Sequence, residues 1–472
     1  MLPTRCAPGW ARLVRMTTIA FSPVAAALSA AGFVGRLVEL GDDDYDAARS
    51  CWNGALDRQP VAIAYASDAD DVAAAVRTCR GLALPFTIRA GGHSVAGRSI
   101  RDGALCIDLR GLNAIAVDPA TRLVRVGGGT LLGELDAATQ AYGLAVPAGQ
   151  ISHTGVGGLT LGGGIGWLMR KHGLTIDSLR ALDVVLADGS RVRASEHEHP
   201  DLFWALRGGG DFGAVTTFTF EAREVGPEVL AGVLVYPWER ARSAFVATRD
   251  LMAAAPEELT VFVVLATAPP GDPFPAELHG RPVAIVGVAW CGDPDRRQGV
   301  LQPLRAACPP LLDLVGPMPY VGLQTMLDAT APPGWNYYDR LHYLSEVSDA
   351  AIDLLLAEFE RVPEPEAHVI TSWLGGAIDR VAPGETAFGH RSARALSWLI
   401  GSSGERPLEP VTAWVRALWK ELEPYSTGGV YVNALDAERS VREAYADDVW
   451  LRLVDVKRRY DPDGAFAGSG IR

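Results

Sequence analysis

A histidine closes the run Pro85-Phe86-Thr87-Ile88-Arg89-Ala90-Gly91-Gly92-His93-Ser94. A β-prone segment that opens onto paired glycines lets backbone N–H groups close on an anion with no Cβ in the way, and Arg89 adds positive charge. Taken alone, the stretch reads equally well as a glycine turn with an incidental histidine. A second run, Gly149 to Gly166, carries eight glycines in eighteen residues. That is entropically costly unless the backbone must approach something flat or phosphorylated. A third, Arg207-Gly208-Gly209-Gly210-Asp211-Phe212-Gly213, leads into the β-prone Ala214–Phe220. Three such loops in one α+β domain point to an extended ligand, such as a dinucleotide, lying across it.

Rival chemistries fail on context. No loop has the strand–GxGxxG–helix–acid order of a Rossmann unit, and no Walker lysine is present. Gly92-His93-Ser94-Val95-Ala96 has the outline of a nucleophile elbow, which would make Ser94 a hydrolase serine, but the helix that elbow requires does not follow. His197-Glu198-His199 precedes Pro200 in a polar stretch and reads as a solvated loop, so no metal is expected.

The positioning elements follow from periodicity. Pro60–Tyr65 and Pro85–Ile88 are short buried strands around a helix in which Val72, Ala75, Val76 and Cys79 recur at helical spacing, with Ser67 and Asp70 as a capping box. Ala104–Asp108 and Leu123–Val126 are further strands. A helix over Leu131–Tyr142 is capped by Thr130 and closed by Gly143. Leu182–Ala187 and Val192–Ala194 form a hairpin around Asp188-Gly189. After Val225 the texture changes: Leu230–Tyr236, Thr260–Thr267 and Pro282–Trp290 read as long strands of one sheet, with helices at 348–361, 408–422 and Val449–Tyr460.

The 472 residues suffice for two or three structural domains. A net charge of −13 argues against nucleic acid or an anionic membrane as the main partner. Six scattered cysteines without a CxxC pair argue against a zinc site or a disulfide scaffold. Composition favours the cytoplasm. Arg5, Arg12 and Arg15 before the uncharged Met16–Gly35 trace the outline of a signal peptide, making secretion the minority reading; the other is a helix and strand over residues 22–40.

Taken together, the motifs resemble the vanillyl-alcohol oxidase superfamily, in particular its berberine-bridge-enzyme and 6-hydroxy-D-nicotine oxidase group. Cys51-Trp52-Asn53-Gly54, Arg89–Ser94, Asp108-Leu109-Arg110, Gly155–Gly166, Leu206–Gly213, Tyr431-Val432-Asn433 and Tyr460-Asp461-Pro462 carry the resemblance, which spans residues 35–472. It implies an α+β fold. Residues 35–225 would be a PCMH-type FAD-binding domain of two α/β subdomains. Residues 226–425 would be a substrate domain with an antiparallel sheet covered by helices, and 426–472 a C-terminal segment returning to the FAD domain, with 1–34 an extension or helix.

The same resemblance implies FAD, bonded through His93 and gripped at its pyrophosphate by Arg89, Ala90, Gly91, Gly92 and Ser94. Asp108, Thr154, Val156, Gly157, Gly158, Gly162, Asp177, Gly210 and Val215 would be further FAD contacts. Many members add a cysteinyl bond where this chain has Ile151, so a single covalent link is expected. Thr154, small and beside the flavin, favours an oxidase that yields hydrogen peroxide over a dehydrogenase with another acceptor. The implied reaction moves hydride from a C–H bond of an alcohol, amine, sugar or specialised metabolite to flavin N5. Tyr431 would face the flavin as a base helped by Arg340, with His153 a further candidate nearby. Tyr337, Tyr338 and His342 would form the pocket wall, alternation placing Tyr338, Arg340 and His342 on one face. Ala434 and Gly468-Ser469-Gly470 depart from the family pattern and imply a roomier pocket.

Overall fold

The computed structural model describes residues 23–472 apart from Gln298, Ala437, Ser469 and Arg472. The arginines and the first part of the uncharged stretch, residues 16–22, of the signal-peptide outline lie outside the described residues. From residue 23 the chain enters the helix Pro23–Ala30 and the strand Arg36–Glu39. Among the described residues no helix is long and apolar enough to cross a membrane.

The fold is α+β, built on three main sheets and a two-stranded ribbon that pairs Leu144–Ala145 with Arg223–Glu224. The first has four short strands in the order Arg36–Glu39, Ala62–Tyr65, Leu105–Asp108, Phe86–Arg89, the last three parallel. Parallel neighbours need a crossover, and the helix Ala69–Gly81 supplies one, burying Val72, Ala75, Val76 and Cys79 against the sheet. Its cap sits one residue later than the sequence pattern implied: Asp68, not Ser67, is the N-cap and accepts the Asp71 N–H. Ser67 donates instead to Asp71, whose carboxylate also takes the Val34 N–H. The second sheet has five antiparallel strands in the order Ile115–Asp118, Leu123–Gly127, Ala214–Glu221, Leu179–Val185, Arg191–Ser195, the last two being the expected hairpin. Its helix Leu132–Gln140 is likewise capped later than expected. Leu131 is the N-cap and Glu134 accepts its N–H, while the Thr130 hydroxyl is buried without a partner.

The third sheet is the largest and antiparallel. Its central path is Glu228–Pro237, Pro282–Trp290, Leu259–Thr267, His368–Trp373, Ala395–Ser402, Tyr337–Leu344. Three helices, Ala241–Ala253, Asp349–Phe359 and Glu409–Leu422, cover one face and bury Phe245, Leu355, Phe359, Val415 and Leu418 against it. The other face turns towards the glycine loops. The tail then returns to the first two sheets: Tyr431 and Leu453 join the core around Phe218, and Phe466 packs edge-on against Phe86 at 5.1 Å.

Candidate active site

Two glycine loops meet backbone to backbone. A Cβ on Gly91 would lie 2.3 Å from the Gly155 nitrogen, and one on Gly155 would lie 2.3 Å from the Gly91 nitrogen. This contact borders a cleft of about 360 Å³ lined by both loops. Ala90, Gly91, Gly92, His93 and Ser94 line it from the first loop, Ile151, Thr154, Gly157, Gly158 and Gly162 from the second, and Gly210 and Val215 from the third.

Four expected contacts lie elsewhere. Arg89 is 1 % exposed and donates from Nε to Asp108 at 2.5 Å and from Nη2 to the Ala48 carbonyl at 2.7 Å. Its charge is spent inside the first sheet, tying the strand that carries the His93 loop to its neighbour. Asp108 accepts that bond and the Arg110 N–H. Val156 is in the core beneath the loop, and Asp177 is held by the Arg391 guanidinium at 3.0 and 2.7 Å. The guanidinium that does line the cleft is Arg98. Its Nη1 donates to the Gly468 carbonyl at 2.7 Å, and it has no carboxylate partner within salt-bridge distance among the described residues.

His93 is fixed by stacking. Its ring lies 4.1 Å from Trp52, and Trp52 lies 3.8 Å from Tyr337, both pairs inclined by 16°. Trp52 is anchored by its indole N–H on the Ala331 carbonyl, and Asn53 bonds both Val95 and Tyr337. The Cys51–Gly54 motif is therefore the clasp between the histidine loop and the large sheet. His93 Nε2 faces His153 Nδ1 at 3.2 Å, while His153 Nε2 is buried without a partner. Burial, reinforced by repulsion from His153, pulls His93 down to about 3, so its imidazole is neutral at physiological pH. Ser94 Oγ accepts the Arg98 N–H at 3.2 Å, and no base is hydrogen-bonded to it among the described residues, so nothing there equips it as a hydrolase nucleophile.

Alternation along Tyr337–Leu344 places Tyr338, Arg340 and His342 on one face, but that face is turned away from the cleft. Tyr338 meets Arg416, Arg340 binds Asp436 and Glu438, and His342 stacks on Trp419 at 4.8 Å with Nε2 2.8 Å from its carbonyl oxygen. Tyr338 and His342 are thus packing residues under the helix Glu409–Leu422 rather than a pocket wall. A one-residue offset exchanges every side chain between faces, and Tyr337 and Asp339 take the cleft side. Tyr431 does line the cleft. Its hydroxyl accepts from Asn433 Nδ2 at 2.9 Å and from Gly164 N at 3.1 Å, so these donors, and not Arg340, address its oxygen. Burial nevertheless raises its pKa above 10.

The sequence reading missed Arg98, Asp339, Trp398 and His368 as lining residues. The signal for Asp339 was available: it alternates with the residues chosen.

These features suit FAD. The loops form a cradle that side chains would fill, and a guanidinium with no carboxylate in salt-bridge distance among the described residues stands beside it for a diphosphate. The comparisons agree. Residues 60–195 match the family of FAD binding domains. An uncharacterised FAD-linked oxidoreductase of Bacillus subtilis, YgaK, is 32% identical over 445 residues, 92% of this chain and 95% of that protein. The chain belongs to the FAD-linked oxidoreductases. Within this family it is 29% identical to (R)-6-hydroxynicotine oxidase of Paenarthrobacter nicotinovorans, over 92% of this chain and 95% of that one. The structure of wild-type Physcomitrella patens BBE-like 1 shares the fold, with TM-score 0.85 at 24% identity over 96% of this chain and 99% of that one. This FAD-linked oxidoreductase thus falls in the berberine-bridge-type group of the vanillyl-alcohol oxidase superfamily.

Proposed function

We propose that this FAD-linked oxidoreductase is an oxidase that removes hydride from a C–H bond of a small alcohol, amine or sugar. Bound FAD supplies the hydride acceptor, N5, and its reoxidation by oxygen releases hydrogen peroxide. The observation that carries the reading is the continuity of the cleft, which runs from the glycine cradle beside His93 to a chamber walled by Tyr431 and the open face of the large sheet.

Each residue has a definite task in this reading. His93, neutral and held by Trp52, is the attachment point, and Ile151 leaves the link single. The backbone of Ala90–Ser94 and the Arg98 guanidinium take the diphosphate. Thr154, Gly157, Gly158, Gly162, Gly210 and Val215 line the cofactor's path, and the small Thr154 side chain leaves oxygen a route in. Tyr431 remains a phenol at neutral pH. With its oxygen already accepting two N–H bonds, its own proton is free for a partner in the cleft.

The test begins with protein made with ample riboflavin and precipitated in acid. Its intact mass should exceed that of the chain by one FAD. Anaerobic addition of 6-hydroxynicotine, benzyl alcohol, benzylamine or glucose should bleach the yellow band, and air should restore it with peroxide. Colourless protein sinks the reading. Bleaching without peroxide in air would favour the dehydrogenase instead.

A further inference from the structure

Asp339 sits in the strand Tyr337–Leu344 on the cleft face and is 4 % exposed. Its Oδ2 accepts a hydrogen bond from the Trp398 indole N–H at 3.2 Å, while its Oδ1 is buried with no partner. No arginine or lysine pairs with it among the described residues. Buried carboxyl oxygens are rarely left unsatisfied, and this one belongs to a residue that lines the cleft.

The register shows what shares the wall. Asp339 opposes Ile400, which opposes His368, so a carboxyl and an imidazole lie in one row across three strands. The next row is Leu341, Trp398 and Ile370. The Trp398 ring also meets Tyr431 edge-on, with centroids 6.2 Å apart. Asp339 and Tyr431 therefore flank the same indole and border the same chamber.

The polar groups around this chamber come from four elements. Tyr337 precedes Asp339 on its own strand, where burial raises its phenol. His368 faces it from the strand His368–Trp373, kept neutral by burial and with Nδ1 3.1 Å from the Glu366 carbonyl oxygen. Trp398 and Tyr431 are uncharged at neutral pH. Desolvation pushes Asp339 up to about 7, whereas the phenols are raised above 10. A proton acceptor works best with a pKa near the working pH and within hydrogen-bond reach of the proton it takes.

We propose that Asp339 is the proton-accepting residue of the oxidation, its carboxyl taking the hydrogen bond of a substrate O–H or N–H while Tyr431 orients the same group. This rests on the hydride-transfer reading above and narrows the substrate to molecules bearing a hydroxyl or amine on the carbon oxidised. The balance is simple. The C–H electron pair leaves as hydride to FAD, the O–H or N–H proton goes to Asp339, and a C=O or C=N double bond forms. Asp339 ends as the acid and returns its proton to water.

The test uses the full FAD-loaded chain as wild type, Asp339→Asn, His368→Gln and Tyr431→Phe. Asparagine keeps an acceptor for the Trp398 N–H, and retention of the yellow band reports folding. The wild-type flavin spectrum, followed from pH 5 to 9, should show a transition near pH 7 that is absent in Asp339→Asn and present in the other two. Of 6-hydroxynicotine, benzyl alcohol, benzylamine and glucose, whichever bleaches wild type should bleach Asp339→Asn at least ~100-fold more slowly, with KM little changed. No transition in wild type, its persistence in Asp339→Asn, or bleaching of that variant within about threefold of wild type overturns the assignment. Yellow wild type that no probe bleaches counts against the oxidase reading alone, and the spectral titration still decides Asp339.

Discussion

Replacing Gly155 by alanine tests the claim that two glycine loops must touch for the cofactor cleft to exist. The added Cβ would lie 2.3 Å from the Gly91 nitrogen, 2.9 Å from the Gly91 Cα and 3.2 Å from the Ala90 Cβ, where ordinary contact begins at 3.4 Å. All three atoms belong to the His93 loop, and two are backbone, so no flexible side chain can swing aside. Relief requires the two loops to part by about 1 Å, and overpacking of this kind costs ~1–3 kcal/mol. With three sheets and several separate cores intact, the protein should still fold. The loops, however, would no longer present their N–H groups to one diphosphate, and a displacement of about 1 Å at a reacting group can cost ~100-fold in rate. We expect soluble Gly155→Ala with a urea midpoint lowered in proportion to ~1–3 kcal/mol and a covalent FAD fraction, read by intact mass, far below wild type. The Gly91→Ala variant should behave alike. Full FAD occupancy in both variants would refute the reasoning.

Three further outcomes follow from the site. His93→Ala should abolish the FAD mass increment under acid while leaving yellow protein that loses its colour on dialysis; an increment that persists would place the link elsewhere. In that noncovalent background, Arg98→Met should weaken FAD binding by ~10–100-fold, the loss of a charge-assisted contact worth ~1.5–3 kcal/mol, and a fluorescence titration with FAD reads it directly. The third concerns Asp136, fully buried with Oδ2 accepting from Gln324 at 2.7 Å, which burial raises to about 7. A raised carboxyl binds more protons folded than unfolded, so its contribution is full below the unfolded value near ~4 and is lost as pH climbs through about 7. Asp136→Asn should therefore flatten the fall in urea midpoint between pH 5 and 8, and an unchanged fall would show that Asp136 does not titrate in that window.

Much of the site was legible because its chemistry is local. Glycine runs announce close backbone approach wherever they fold, and the residues that line the cleft from the three loops are mostly those the loops themselves suggested. Helix caps were legible only to within a residue, since Asp68 and Leu131, not Ser67 and Thr130, hold the cap positions once neighbouring carboxylates choose their donors. Arg89 shows why a charge beside a glycine loop is ambiguous. Asp108 lies on the next strand, and the pairing that brings it within 2.5 Å is a tertiary event.

The division is sharpest along Tyr337–Leu344. Amino-acid sequence alone established that the segment is a strand with two unlike faces, one carrying Tyr338, Arg340 and His342 and the other Tyr337, Asp339 and Leu341, because side chains alternate with a period of two. Which face meets the cofactor depends on where Trp419, Asp436 and Glu438 arrive from about a hundred residues further along the chain. These groups satisfy the charged face and leave the carboxyl of Asp339 turned into the cleft. Local periodicity carries no information about such partners, so tertiary packing alone made that choice.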